Sequence, residues 1–158
     1  MRLRFLAAFL AALPSASLGL CLTKNALPVS SPLEILKQDW ILHSDGSNVF
    51  IHEFRLYDYN ADGKLDIVLV KRDESYDGSP IYSVKYYRGE AEGFCGVVVA
   101  PSLTALDENF VLNIIGGSKG FPVFSMQYIS LDRNADSTRE IRETFSYNSD
   151  TQTYIRAD

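Results

Sequence analysis

Apolar positions in this chain change texture along its length. Phe5 to Leu13 is an unbroken apolar run, whereas the segments beyond residue 40 are short, rich in β-branched and aromatic residues, and separated by turn dipeptides. Between the two, Ser31-Pro32-Leu33-Glu34 opens a short helix. Ser31 suits the cap, Pro32 the first helical position, and Glu34 completes a capping box. The helix is expected to end near Asp39, with a strand at Trp40 to His43 leading into an Asp45-Gly46 turn. Val49 to Tyr57 alternates imperfectly, and Ile67 to Val70 is wholly apolar, as befits a central strand. Asp77-Gly78 turns the chain into Ile81 to Tyr87, and a Gly89 to Gly93 loop turns it into Phe94 to Ala100. Further strands are expected at Phe110 to Ile115, Val123 to Leu131, Ile141 to Tyr147 and Thr153 to Arg156. The pattern predicts a mainly β, compact antiparallel two-sheet domain with one short N-terminal helix.

The first apolar run changes this picture by adding an address. Arg2 and Arg4 precede it, and Pro14-Ser15-Ala16-Ser17-Leu18-Gly19 follows with small residues suited to signal peptidase. The expectation is a signal peptide over residues 1–19 and a single mature domain over residues 20–158, secreted or periplasmic. A retained membrane anchor would have to accommodate Pro14 and two serines. Acylation at Cys21 is a third option, although Leu20 is a poor residue just before a lipidated cysteine.

Removing Arg2 and Arg4 from 15 basic residues leaves 13 against 20 acidic ones, a net charge of 13 − 20 = −7. With no Lys/Arg cluster, the sequence argues against nucleic acid and against anionic membrane surfaces. Cys21 and Cys95 are the only cysteines, which in an oxidising compartment invites a disulfide; a free Cys95 is the alternative. The loop it would close spans 74 residues.

The candidate chemistry lies in Asp58-Tyr59-Asn60-Ala61-Asp62-Gly63-Lys64-Leu65-Asp66. Oxygen side chains fall at loop positions 1, 3, 5 and 9, with glycine at position 6, a spacing that wraps a hard cation such as calcium. Lys64 can add its main-chain carbonyl, and Gly63 permits the bend. The alternative is an acidic turn whose Asp58 caps its own backbone.

A second segment, Asp132-Arg133-Asn134-Ala135-Asp136, repeats the core at a shift of 74 residues. Over residues 49–71 against 123–145, seven of 23 positions are identical, five of them in or beside the loop. Ser137 replaces Gly63 and Glu140 replaces Asp66. This suggests a duplicated strand–acidic loop–strand unit, with repeat units of about 40–100 and 110–158 and a weaker second site at Asp132, Asn134, Asp136 and Glu140. Two unrelated Asx-rich hairpins would give the same pattern.

An EF-hand is disfavoured because its twelfth position should be a bidentate glutamate and here is Leu69. The run Asp58 to Val70 instead resembles the FG-GAP or VCBS type of extracellular repeat, in which such a loop joins two strands and precedes an apolar stretch. The resemblance covers about 25 residues per copy. It implies calcium ligation by Asp58, Asn60, Asp62, the Lys64 carbonyl and Asp66, with the metal structural rather than catalytic. Members of that family string several repeats into a propeller, and two units cannot close one.

Enzyme chemistry finds little support. Gly116-Gly117-Ser118-Lys119-Gly120 satisfies Gly-x-Ser-x-Gly, but a nucleophile elbow needs a helix next, and Phe121-Pro122 resists one. The only histidines, His43 and His52, both precede it. Two function classes stay open. One is a non-catalytic exported calcium-binding module, a monomer that engages another protein or an extracellular glycan through contacts such as Tyr57, Tyr59, Tyr76 and Tyr86-Tyr87-Arg88. The other is a periplasmic inhibitor or immunity-type protein that blocks a partner.

Overall fold

The computed structural model describes residues 30–42, 49–74, 79–106, 109–118, 120–132 and 137–157, with backbone alone for 39–42, 118, 131 and 132. The proposed signal peptide, His43, the Asp45-Gly46 and Asp77-Gly78 turns, Tyr76 and Cys21 lie outside these residues.

Helix α1 spans Pro32–Leu42. Its start follows the expected cap, with the Glu34 amide donating to Ser31 Oγ at 3.2 Å, but the Glu34 carboxylate accepts from the hydroxyl and amide of Ser30, one residue before the cap. Its end does not. Trp40 to Leu42 are helical, correcting the strand expected there, because no glycine or proline interrupts residues 33–42.

Eight strands follow: β1 Val49–Tyr57, β2 Asp66–Glu74, β3 Pro80–Glu90, β4 Gly93–Thr104, β5 Val111–Ser118, β6 Phe121–Asp132, β7 Ser137–Asn148 and β8 Thr153–Ala157. They form two four-stranded antiparallel meanders, β1-β2-β3-β4 and β5-β6-β7-β8. The expected Gly89 to Gly93 loop shrinks to a two-residue turn at Ala91-Glu92, with Gly89 paired to Phe94 inside the ladder.

The sheets share a core. Val68, Val70, Tyr82, Val84 and Tyr86 from the first sheet join Leu112, Phe124, Met126 and Tyr154 from the second in one buried cluster. Tyr82 stacks on Phe110 with ring centroids 4.4 Å apart, and Arg55 of β1 donates to the Leu112 carbonyl at 3.1 Å, crossing between sheets. On the other face of the first sheet, Ile67, Leu69 and Tyr87 pack with Ile35 of α1. Strand β2 is therefore covered on both sides, which is why its apolar run has no alternation. Truncating Leu69 to alanine there would cost about 2–5 kcal/mol.

Cys95 on β4 is disulfide-bonded. No described helix is long and apolar enough to cross a membrane.

Candidate functional site

The acidic loop connects β1 to β2, with Tyr57 paired to Asp66 across its base. Its path is set by two left-handed residues, Gly63 at φ 84° and, less expectedly, Ala61 at φ 57°. Alanine pays no such conformation freely; an L-residue there costs about 1–2 kcal/mol.

Side-chain oxygens hold this path by accepting from the loop's own amides. Asp58 Oδ1 and Asn60 Oδ1 converge on the Asp62 amide, at 3.1 and 3.0 Å. Asp58 Oδ2 accepts from the Gly63 amide at 2.9 Å, and Asp62 Oδ1 from the Lys64 amide at 2.9 Å. Asn60 Nδ2 reaches Asp62 Oδ2 at 3.2 Å. Asp58 and Asn60 are half-buried, whereas Asp62 and Lys64 face solvent.

Asp66 behaves differently. It is wholly buried, with Oδ1 accepting from the Gly89 amide at 2.8 Å and Oδ2 from the Tyr59 amide at 3.2 Å. Burial pushes its carboxyl above the ordinary aspartate value. The Gly89 amide, the neighbouring Tyr86 hydroxyl and the Tyr59 amide pull it back, and the charge of Asp62 adds to the rise. That hydroxyl is itself buried, and burial together with the neighbouring Asp66 charge pushes it up.

A close backbone approach makes the Gly89 bond possible. A Cβ built on Gly89 would lie 2.3 Å from the Leu65 carbonyl oxygen, so any larger residue would push β3 off the loop. Lys64 Nζ and Glu90 Oε2, 3.8 Å apart, flank the same seam. Glu90 is also paired with Arg88, whose guanidinium sits 4.9 Å from the centroid of Phe121 in the second sheet.

The donor set is all hard oxygen, which fits calcium in kind. The loop gathers Asp58, Asn60 and Asp62 and leaves Asp66 turned into the fold. Among the described residues, no three His, Cys, Asp or Glu side chains converge closely enough to hold a metal ion.

The second acidic segment joins β6 to β7, so the strand–loop–strand unit recurs, but one step later in its meander. Asp132 pairs with Ser137 across it, leaving a four-residue connection where the first loop has eight. Asn134 and Asp136 lie outside the described residues, as does the side chain of Asp132. Glu140, the counterpart of Asp66, sits exposed on β7 and accepts from Gln127 Nε2 at 2.6 Å.

The remaining candidates fall elsewhere. Tyr86 and Tyr87 are core residues on opposite faces of the first sheet, which corrects their reading as surface contacts. Tyr57 is exposed and Tyr59 half-buried, their rings 5.3 Å apart beside the loop. The Gly116 to Gly120 segment turns β5 directly into β6, so the strand–turn–helix path of a nucleophile elbow is not formed. His52 packs edge-on against Tyr82 and Phe110.

Sequence reasoning missed Gly89, which read as a loop glycine. No family model, curated protein or solved structure matches the chain.

Proposed function

We propose that this protein is an exported, non-catalytic calcium-binding module of FG-GAP or VCBS character, whose first acidic loop is rigidified by the cation to present a recognition surface. The convergence of Asp58 Oδ1 and Asn60 Oδ1 on one amide carries the reading, because it brings two hard donors of different chain positions together. Asp58, Asn60, Asp62 and the Lys64 carbonyl would hold the calcium, which supplies positive charge to a cluster that otherwise repels itself. Export rests on the Arg2-to-Gly19 segment alone. The recognised species is another protein or an extracellular glycan, with Tyr57 the exposed aromatic beside the loop.

Extracellular modules bind calcium with dissociation constants of about 10⁻⁴–10⁻³ M. Calorimetric titration should find one such site, weakened at least tenfold in Asp58→Ala. A protein that takes up no calcium at millimolar concentration would end this reading. Co-purification of a tight 1:1 protein partner would then favour a blocking protein of the inhibitor type.

A further inference from the structure

We propose that strand β1 is a self-complementary edge through which two copies of this chain pair antiparallel about Phe54, joining their first sheets into one continuous sheet. The inference does not rest on the calcium reading, and it replaces the monomer that the sequence suggests.

Three observations carry it. The sandwich is closed along one side, where β4 lies against β8, and open along the other, where β1 and β5 each end their sheet. Arg55 and His52 set these two edges side by side, through the Leu112 carbonyl and the Phe110 ring. Six of the ten exposed large hydrophobic residues among those described lie on this open side: Phe50, Ile51, Leu56 and Tyr57 on β1, with Val111 and Ile115 on β5. Next, β1 lacks most of the devices that keep an edge solitary. It holds no lysine and no proline, and its bulge between Ile51 and Glu53 leaves Glu53 to Tyr57 in regular register. Finally, its two charged residues, Glu53 and Arg55, are opposite in sign and flank Phe54. Opposed residues of an antiparallel pair share a face, so a two-fold axis that keeps the sheet continuous must pass through a residue. An axis at Glu53 or at Arg55 sets like charges directly opposite each other, which is destabilising. An axis at Phe54 instead sets each Glu53 against Arg55 of the second copy. The Arg55 guanidinium, already 2.6 Å from Glu53 of its own chain, then lies between two carboxylates. In a chain with 20 acidic and 15 basic residues, the charges of β1 sum to zero, so two copies meet there without the repulsion of the wider surface.

Sedimentation velocity of residues 20–158 over a range of concentrations tests the pairing. Wild type should show a monomer–dimer equilibrium. Glu53→Arg leaves only cations at the seam and Arg55→Glu only anions, so each variant alone should dimerise at least about tenfold more weakly. Mixed in equal amounts, the two variants should form a heterodimer at close to the wild-type affinity, because every opposed pair is again of unlike charge. A wild type that stays monomeric at every concentration overturns the proposal and leaves the open edge to a strand of a different protein. Single variants that dimerise like wild type, or a mixture that stays monomeric, overturn it as well. Because Arg55 also bonds to the Leu112 carbonyl, amide exchange of the wild type decides should the variants fail to fold. Amides of β1 should gain at least about tenfold protection between the monomeric and dimeric ranges, and unchanged protection overturns the pairing. No calcium enters these measurements, so their failure leaves the calcium reading standing.

Discussion

Asp66 Oδ1 accepts the Gly89 amide at 2.8 Å, joining residues 23 apart in sequence. Through that bond the exit of the acidic loop is held against the last residues of β3, next to the Ala91-Glu92 turn. The other oxygen holds the Tyr59 amide near the loop's entry, so one buried carboxylate spans both ends of the loop.

Replacing Asp66 with alanine strands two amides, each worth about 1–3 kcal/mol when buried and unpaired. Asp66→Ala should lose about 2–6 kcal/mol of stability in EDTA. Asp62→Ala, whose bonds are solvent-facing, should lose under about 1 kcal/mol. Urea denaturation of the two variants checks the difference; equal losses would contradict the distinct roles assigned here.

Backbone conformation in the loop gives a paired prediction. A Cβ at Gly63 meets no atom within 4 Å, so Gly63→Ala isolates the cost of its φ of 84°, about 1–2 kcal/mol. Ala61→Gly relieves the same kind of conformation and should be neutral or stabilising by up to about 1 kcal/mol. Opposite signs in a denaturant series are expected.

Buried tyrosines govern alkaline stability. Burial, aided by Glu143, pushes Tyr128 up to about 12, and burial drives Tyr86 and Tyr154 higher still. Because the folded values exceed the unfolded one near 10, the native state keeps protons that the unfolded chain releases. Their contribution is intact below about pH 10 and is lost as pH rises through 12. Phenolate absorbance should therefore show a late fraction of tyrosines that ionises together with cooperative unfolding.

Reduction of the disulfide at Cys95 should destabilise the domain by about 2–4 kcal/mol. The denaturation midpoint with and without reductant measures this directly.

Much of the architecture was legible because local pattern and tertiary environment agree. The uninterrupted run Ile67 to Val70 announces a strand buried on both faces, and Ser31-Pro32 announces a helix start. Trp40 misled because an aromatic favours strands in general, while helix continuation depends on the absence of a breaker. Of the two readings open for Tyr86 and Tyr87, ordinary strand tyrosines or surface contacts, the second fails for a related reason. Adjacent strand residues point to opposite faces, and only the arrival of α1 on one side and the second sheet on the other buries both. At the site, spacing identified Asp58, Asn60 and Asp62 as neighbours. The burial of Asp66 was hidden, since it depends on β3 closing against Leu65 at a glycine.

The central claim is that calcium orders the first loop, and thermal unfolding of residues 20–158 tests it most directly. Melting would be compared in EDTA and in millimolar calcium for wild type and Asp62→Ala. At ten times its dissociation constant, calcium adds about 1.4 kcal/mol, which for a domain of this size is a rise of roughly 3–6 °C. The account predicts that rise in wild type and its loss in Asp62→Ala. Identical melting in both conditions would contradict it and reduce the acidic loop to a turn capped by its own side chains.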